Sequence, residues 1–281
     1  MAGKKDTLKT WGSQPDKVAK KVWFGPMPGQ LKKLASTGLP KRIGLISFYV
    51  FDTGSHKYSF MVESIRYEHW GMVDLAANRY ADFFALSGVP AMKEEFAARG
   101  LELLTPDEFL KTPKQVHTYL SFKMPEDGFQ KFAKGMLKFF DRNPHATGAA
   151  RGFSMIPTHL WMSPDILRSL ETLRQELELD ALVVLTNSTS SNKNTSILAS
   201  VALHFYGPNP DPLPEHKLAA KYWTPMLAYG TGTFGKGFKG VTFQYWDKED
   251  SVSQFDGYDG IVRALTGRTL DELQRRIDKG K

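Results

Sequence analysis

Apolar positions along the chain fall into two kinds of run, one continuous and one helically spaced. Ile43–Phe51 is apolar almost without a break and rich in β-formers, which predicts a first strand buried on both faces. Asp52-Thr53-Gly54-Ser55 then predicts a turn, and Lys57–Tyr67 a second strand. Over residues 72–87, Val73, Ala76, Ala77, Tyr80, Phe83 and Phe84 recur at helical spacing. Gly88 and Pro90 interrupt that pattern, and it resumes as far as Gly100, a helix stop. Leu101–Leu104 reads as a short strand. Thr105-Pro106-Asp107-Glu108 reads as a capping box with proline at the first helical position. The chain therefore begins its folded part as β–α–β.

Further along, Phe129, Phe132, Met136, Phe139 and Phe140 share one face of a helix whose other face carries Lys131, Lys134 and Lys138. A core-packing helix with solvated lysines has this pattern, and so does a helix lying on a membrane surface. Residues 144–163 read as irregular, and Ser163-Pro164-Asp165 opens a helix to about Glu178. Ala181–Thr186 is a second buried strand, Ser188–Asn194 a polar turn, and Ser196–Tyr206 a long returning strand, together an antiparallel hairpin. Ala181–Val184 is expected to lie beside Ile43–Tyr49. Tyr222–Tyr229 and Val241–Trp246 predict two more strands around a glycine-rich connection. Thr269–Glu272 is a second capping box, placed to open the last helix. The pattern predicts an α/β fold: a mixed sheet with helices packed on it in two or three layers, one domain over 42–281. Residues 207–281 are read as an extension of that domain.

Charge sets the first 41 residues apart as a basic N-terminal arm. Residues 1–42 hold ten basic residues and two acids, leaving 27 basic against 28 acidic residues in the rest of the 281-residue chain. Such an arm reads as a solvated leader, or as a contact for an anionic membrane surface, nucleic acid or an acidic partner. Trp11, Val22, Trp23 and Phe24 suggest that part of it docks on the body. The 41% hydrophobic content suffices for one large domain. No apolar run has the length of a membrane-spanning helix. With no cysteine in the chain, disulfides, thiolate metal sites and cysteine nucleophiles are excluded. Met1-Ala2-Gly3-Lys4-Lys5 reads as a start placed on a mature chain, which keeps an export signal in play.

Candidate chemistry is sparse. Val50-Phe51-Asp52-Thr53-Gly54-Ser55 looks like the active-site loop of pepsin-like proteases, in which two aspartates share a proton and activate water. A second Asp-Thr-Gly or Asp-Ser-Gly is missing from the chain, so Asp52 could act only in a homodimer. The other reading makes Asp52 a turn residue accepting from the backbone N–H groups of Gly54 and Ser55. Gly230–Gly240 resembles the glycine-rich loop of protein kinases. Too little chain follows for kinase machinery, so it reads as a flexible connection, with Lys236 and Lys239 as anion contacts. The seven histidines form no metal-binding spacing. Ser190-Ser191-Asn192-Lys193 has a nucleophile-like spacing but sits in a turn. No cofactor is expected.

The order of elements resembles the CsgG-like and TolB amino-terminal-like domains of the bacterial envelope over about residues 42–207. Phe48, Asp52, Thr53 and Gly54 fall at the family's first strand and turn. Gly100–Thr105 falls at its short strand, and Leu179-Asp180-Ala181-Leu182-Val183-Val184 at its later one. The resemblance implies a non-enzymatic protein of the periplasm or the periplasmic face of the outer membrane. It would act through contacts with envelope proteins, and as a homo-oligomer where it assembles. It carries over no catalytic residue. The alternatives are an aspartic-type hydrolase using Asp52, and a cytoplasmic protein binding nucleic acid through the basic arm, although no nucleic-acid-binding module appears.

Overall fold

The computed structural model describes residues 8–25, 39–52, 60–62, 65–67, 74–123, 147–158, 164–192, 195–207, 226–239 and 255–279. The two long apolar runs become the centre of a mixed seven-stranded sheet. Strand β2 (Arg42–Asp52) lies parallel to β7 (Ala181–Asn192), with Ile43 opposite Ala181 and Asp52 opposite Thr189. The expected neighbourhood of Ala181–Val184 and Ile43–Tyr49 is thus present. Asp180 fixes the register: its carboxylate accepts from the Lys41 and Arg42 N–H groups at 3.0 and 2.8 Å. Strand β8 (Thr195–Tyr206) runs antiparallel to β7, and β9 (Met226–Lys239) antiparallel to β8. The short β1 (Val22–Phe24) closes that edge against β9. On the other side, β5 (Glu102–Leu104) pairs parallel with the start of β2, and β6 (Thr147–Ala149) antiparallel with its end. Strands β3 (Phe60–Val62) and β4 (Ile65–Tyr67) form a separate hairpin where one strand was expected over 57–67.

Helices cover both faces, so the domain has three layers. On the first face lie α1 (Leu8–Gly12), α2 (Pro15–Ala19), α3 (Asp74–Ala97) and α7 (Tyr258–Lys279). On the second lie α4 (Pro106–Phe109), α5 (Pro113–Ser121) and α6 (Pro164–Glu176). Residues 8–25 do not stand ahead of the fold as a solvated leader. Leu8, Trp11 and Val18 are buried in the first-face core, because their apolar side chains complete the cover over α7.

Several expectations are corrected. Helix α3 is continuous through Gly88 and Pro90. Pro90 is exposed, so water can solvate the carbonyl it orphans. Gly88 is buried, and a Cβ there would lie 2.7 Å from Tyr258 Cε1. The helix after Thr105 lasts one turn and restarts at Pro113, where Thr112 accepts from the Gln115 N–H at 3.2 Å. The polar run Ser188–Asn192 is strand, paired to β8 along its length and to β2 as far as Thr189. The glycine-rich Gly230–Lys239 is also strand, paired to β8 at Gly230–Thr233 and Lys236–Lys239 on either side of a register shift, not a flexible connection. Thr269 opens no helix: it lies inside α7 and its hydroxyl donates to the Leu265 carbonyl four residues back at 2.8 Å. The amphipathic segment 129–140, with Lys131, Lys134 and Lys138, lies outside the described residues, as does 241–246.

Candidate functional site

Open α/β sheets place ligands at the carboxyl ends of parallel strands, and the parallel pairing of β2 with β7 ends at Asp52 and Thr189, beyond which β7 continues to Asn192 against β8. Asp52 is wholly buried in the last position of β2, and the turn expected at Gly54 and Ser55 lies outside the described residues. Its carboxylate accepts from Thr189 Oγ1 at 2.8 Å. Two residues back along β7, Asn187 donates from Nδ2 to the Tyr49 carbonyl at 3.2 Å and accepts at Oδ1 from the Tyr258 hydroxyl. Tyr258 reaches this point from the first turn of α7, over the bare backbone of Gly88, and packs on Phe84 with ring centroids 4.3 Å apart. Burial pushes the Tyr258 hydroxyl well above its ordinary pKa, partly offset by the bond to Asn187, so it serves as a neutral donor. The result is a buried polar column along β2 and β7, capped by an aromatic ring.

A second polar constellation lies on the other face, where hydroxyl groups hold the backbone of an extended segment. A bulge between Leu45 and Ser47 turns Ser47 to this face beside Ile46. Ser47 Oγ donates to the Ser154 carbonyl at 2.8 Å and accepts from the Ile156 N–H at 3.2 Å. Tyr119 on α5 accepts from the Ser154 N–H at 2.8 Å and donates to the Ile46 carbonyl at 2.7 Å. Tyr49 accepts from the Thr158 N–H at 3.2 Å and donates to its carbonyl at 3.3 Å. Alternate amides of residues 154–158 are thus bound by three hydroxyls. Ile156 between them is fully buried, while Met155 and Pro157 face out. Burial raises the Tyr119 pKa to about 12 against the two Ser154 bonds, and also raises that of Tyr49. The hydroxyls of Thr158 and Thr186 lie close enough to Tyr49 to stabilise its ionised form. Neither Oγ1, however, reaches hydrogen-bonding geometry with any partner, and both atoms are buried.

Beyond Tyr49 the same face carries an aromatic row. Tyr206 and His204 Nδ1 are 3.3 Å apart, His204 meets Tyr229 edge-on at 4.8 Å, and Tyr229 meets Trp23 of β1 at 5.9 Å. Trp23 is half exposed at the sheet edge. Burial raises the pKa of Tyr206 strongly and that of Tyr229 less.

Of the candidate residues singled out in the sequence, Asp52 joins a polar constellation. Lys236 and Lys239 fall on β9, opposite Leu198 and Thr195. The β9 backbone there is engaged in the ladder, unlike a phosphate-cradling loop. Ser190, Ser191 and Asn192 lie in β7. Among the described residues no group of three His, Asp or Glu could hold a metal ion, and no helix is long and apolar enough to cross a membrane. In the arm, Lys17 lies over the Trp11 ring at 4.7 Å and Lys9 is 3.7 Å from Asp256. Sequence reading missed Ser47, Tyr119, Ser154, Asn187 and Tyr258. The one local signal was the serine interrupting the apolar run of β2. Comparison with protein-family models, curated proteins and solved structures finds no match.

Proposed function

We propose that this chain is a non-enzymatic protein of the bacterial cell envelope, on its periplasmic side, acting through protein contacts in an assembly or secretion system. The observation that carries the reading is the buried column at the carboxyl end of β2, where its parallel pairing with β7 stops. Asp52, Thr189, Asn187 and Tyr258 stand where an α/β enzyme would present its chemistry, and all four are buried and bonded to one another or to backbone. Apolar side chains, by contrast, stand in water on the helices: Leu86 of α3 and Leu120 of α5 are each 69% exposed. Leu86 lies in a 430 Å³ cleft with Phe83, Val89 and Phe153, rimmed by Arg79, Asp82 and Arg151. An apolar centre with a charged rim is how protein interfaces are built. The envelope assignment rests on the resemblance of the sequence over about residues 42–207 to the CsgG-like and TolB amino-terminal-like domains.

The alternative of a dimeric aspartic-type hydrolase requires a second carboxyl within hydrogen-bonding reach of Asp52. The burial of Asp52 behind Thr189 argues against a partner copy supplying it. The test is photo-crosslinking in the native host from a reactive residue placed at Leu86 or Leu120, followed by fractionation. A discrete adduct in the envelope fraction is expected. A wholly cytosolic distribution, or no adduct from either position, overturns the reading. Acid-pH peptide cleavage lost in Asp52→Asn would put the hydrolase in its place.

A further inference from the structure

We propose that the second-face groove between β2, α5 and α6 is a binding site for an extended peptide segment of a partner protein, and that residues 154–158 occupy it in cis. The inference rests on the protein-contact reading above and names the partner's chemistry. Three features of the groove carry it.

First, the groove reads main chain. Tyr119, Ser47 and Tyr49 bind the N–H groups of residues 154, 156 and 158, every second residue, as a sheet edge would. The bound segment belongs to none of the sheets of the fold. Recognition through backbone amides fits any extended chain, and specificity comes from alternate side chains. Here it comes from the inward position of Ile156, fully buried in the cluster that holds Leu167 and Leu170. The outward position of Pro157 needs no N–H, because the hydroxyls bind the residues on either side of it.

Second, the occupying segment leaves polar groups unsatisfied. Thr158 is nine-tenths buried, yet its Oγ1 has no hydrogen-bond partner, and Thr186 Oγ1 on the groove floor has none either. An unpaired buried hydroxyl opposes the closed state. A partner segment with a longer amide side chain at that position could bond both Thr186 and the neighbouring hydroxyls.

Third, an exposed turn precedes the segment. Arg151 and Gly152 are exposed, Gly152 adopts φ +85°, and nothing lies within 4 Å of where its Cβ would be. The partner fitting the groove is therefore an extended segment with a small residue, an aliphatic anchor two positions on, and a hydrogen-bonding side chain two positions further. Proline is accepted just after the anchor.

The test uses the full chain. A fluorescent peptide Gly-Phe-Ser-Met-Ile-Pro-Asn is titrated into wild type and into Ile156→Ser, whose own segment has lost its anchor. A cis segment competes at an effective concentration in the millimolar range, so binding should be at least about ten-fold tighter to Ile156→Ser. It should fall with Tyr119→Phe added, and a peptide with serine in place of isoleucine should not bind. Hydrogen exchange on wild type gives a second readout that needs no variant. The amides of Ser154, Ile156 and Thr158 should exchange about a hundred-fold faster than those of Val183 and Leu203, through a local opening. Excess peptide should accelerate them further. Exchange of the segment only with global unfolding, or a folded Ile156→Ser that ignores the peptide, overturns the proposal. Dimerisation of Ile156→Ser on opening would make the occupant a second copy and overturn the partner assignment. Crosslinks from Leu86 or Leu120 with the segment still closed would leave the protein-contact reading standing and this one refuted.

Discussion

Tyr119→Phe isolates one hydroxyl whose partners are both main-chain groups. The ring is fully buried and packs edge-on against Phe109 at 5.6 Å, contacts that phenylalanine keeps. The hydroxyl's two bonds, to the Ile46 carbonyl and from the Ser154 N–H, disappear. Ile46 is fully buried, so its carbonyl loses a partner with no water to replace it. Ser154 is half-buried, so its N–H recovers part of the loss from solvent. An unsatisfied buried group costs about 1–3 kcal/mol and a solvent-replaceable bond about 0.5–1.5, which together give about 2–4 kcal/mol. For a domain of this size that lowers Tm by roughly 5–10 °C. Urea unfolding of wild type and variant at neutral pH measures it, because the Tyr119 pKa of about 12 keeps the hydroxyl protonated there. Ser47→Ala removes the neighbouring bonds to the same segment, so the double variant should lose less than the two single variants together, by about 1 kcal/mol. An unchanged midpoint for Tyr119→Phe, or strict additivity with Ser47→Ala, would refute the hydroxyl row as a unit.

Val184 is fully buried between β2 and β8, and Val184→Asp should destabilise by several kcal/mol; an unchanged Tm would count against its place in the core. A Cβ at Gly230 would sit 2.0 Å from Thr269 Oγ1, so Gly230→Ala should cost about 1–3 kcal/mol by calorimetry and be relieved by adding Thr269→Ala. The Arg275 hydrogen bond, with help from Arg276, lowers the Glu272 pKa from 4.5 to about 2 against the effect of burial. A depressed acid stabilises above its unfolded pKa and loses that contribution as pH falls through the folded one. Wild type should therefore lose stability between pH 4.5 and about 2, and Glu272→Gln should show a shallower decline in denaturant midpoint over that window; identical slopes would sink the assignment.

The strands that build the centre of the sheet were legible because continuous apolar runs at Ile43–Phe51 and Ala181–Thr186 leave few alternatives. What escaped is what only tertiary contact decides. Ser188–Asn192 has turn composition, yet β8 pairs with it throughout, and β2 with its first two residues, so that it folds as a strand. Gly230 disfavours a strand by propensity, but its missing side chain is what lets Thr269 of α7 lie against β9. Thr269 and Glu272 copy a cap, and the structure spends them otherwise, on the Leu265 carbonyl and on Arg275 and Arg276. Asp52 was visible as a polar residue ending an apolar strand, but its partner Thr189 is far away in sequence. The hydroxyl groove was illegible for the same reason, since Ser47, Tyr119 and Ser154 come from three distant segments. Its bulge swings Ser47 to the second face, and in the sequence only the serine itself marks the place.

The edge strand β1 also bears on the order in which the domain can assemble. Val22 pairs with Gly232, and Leu8 and Trp11 pack against α7, so an early segment waits on very late ones. Pairing across so long a stretch is slow, because the entropy of closing the loop must be spent before any contact rewards it. During synthesis β2, α3 and β5 can begin to condense on local contacts, while Trp23 and the apolar residues of α1 remain without their partners until β9 and α7 emerge. The nascent chain therefore carries an exposed aromatic segment through most of its translation, the stretch on which a holding chaperone would have most to gain.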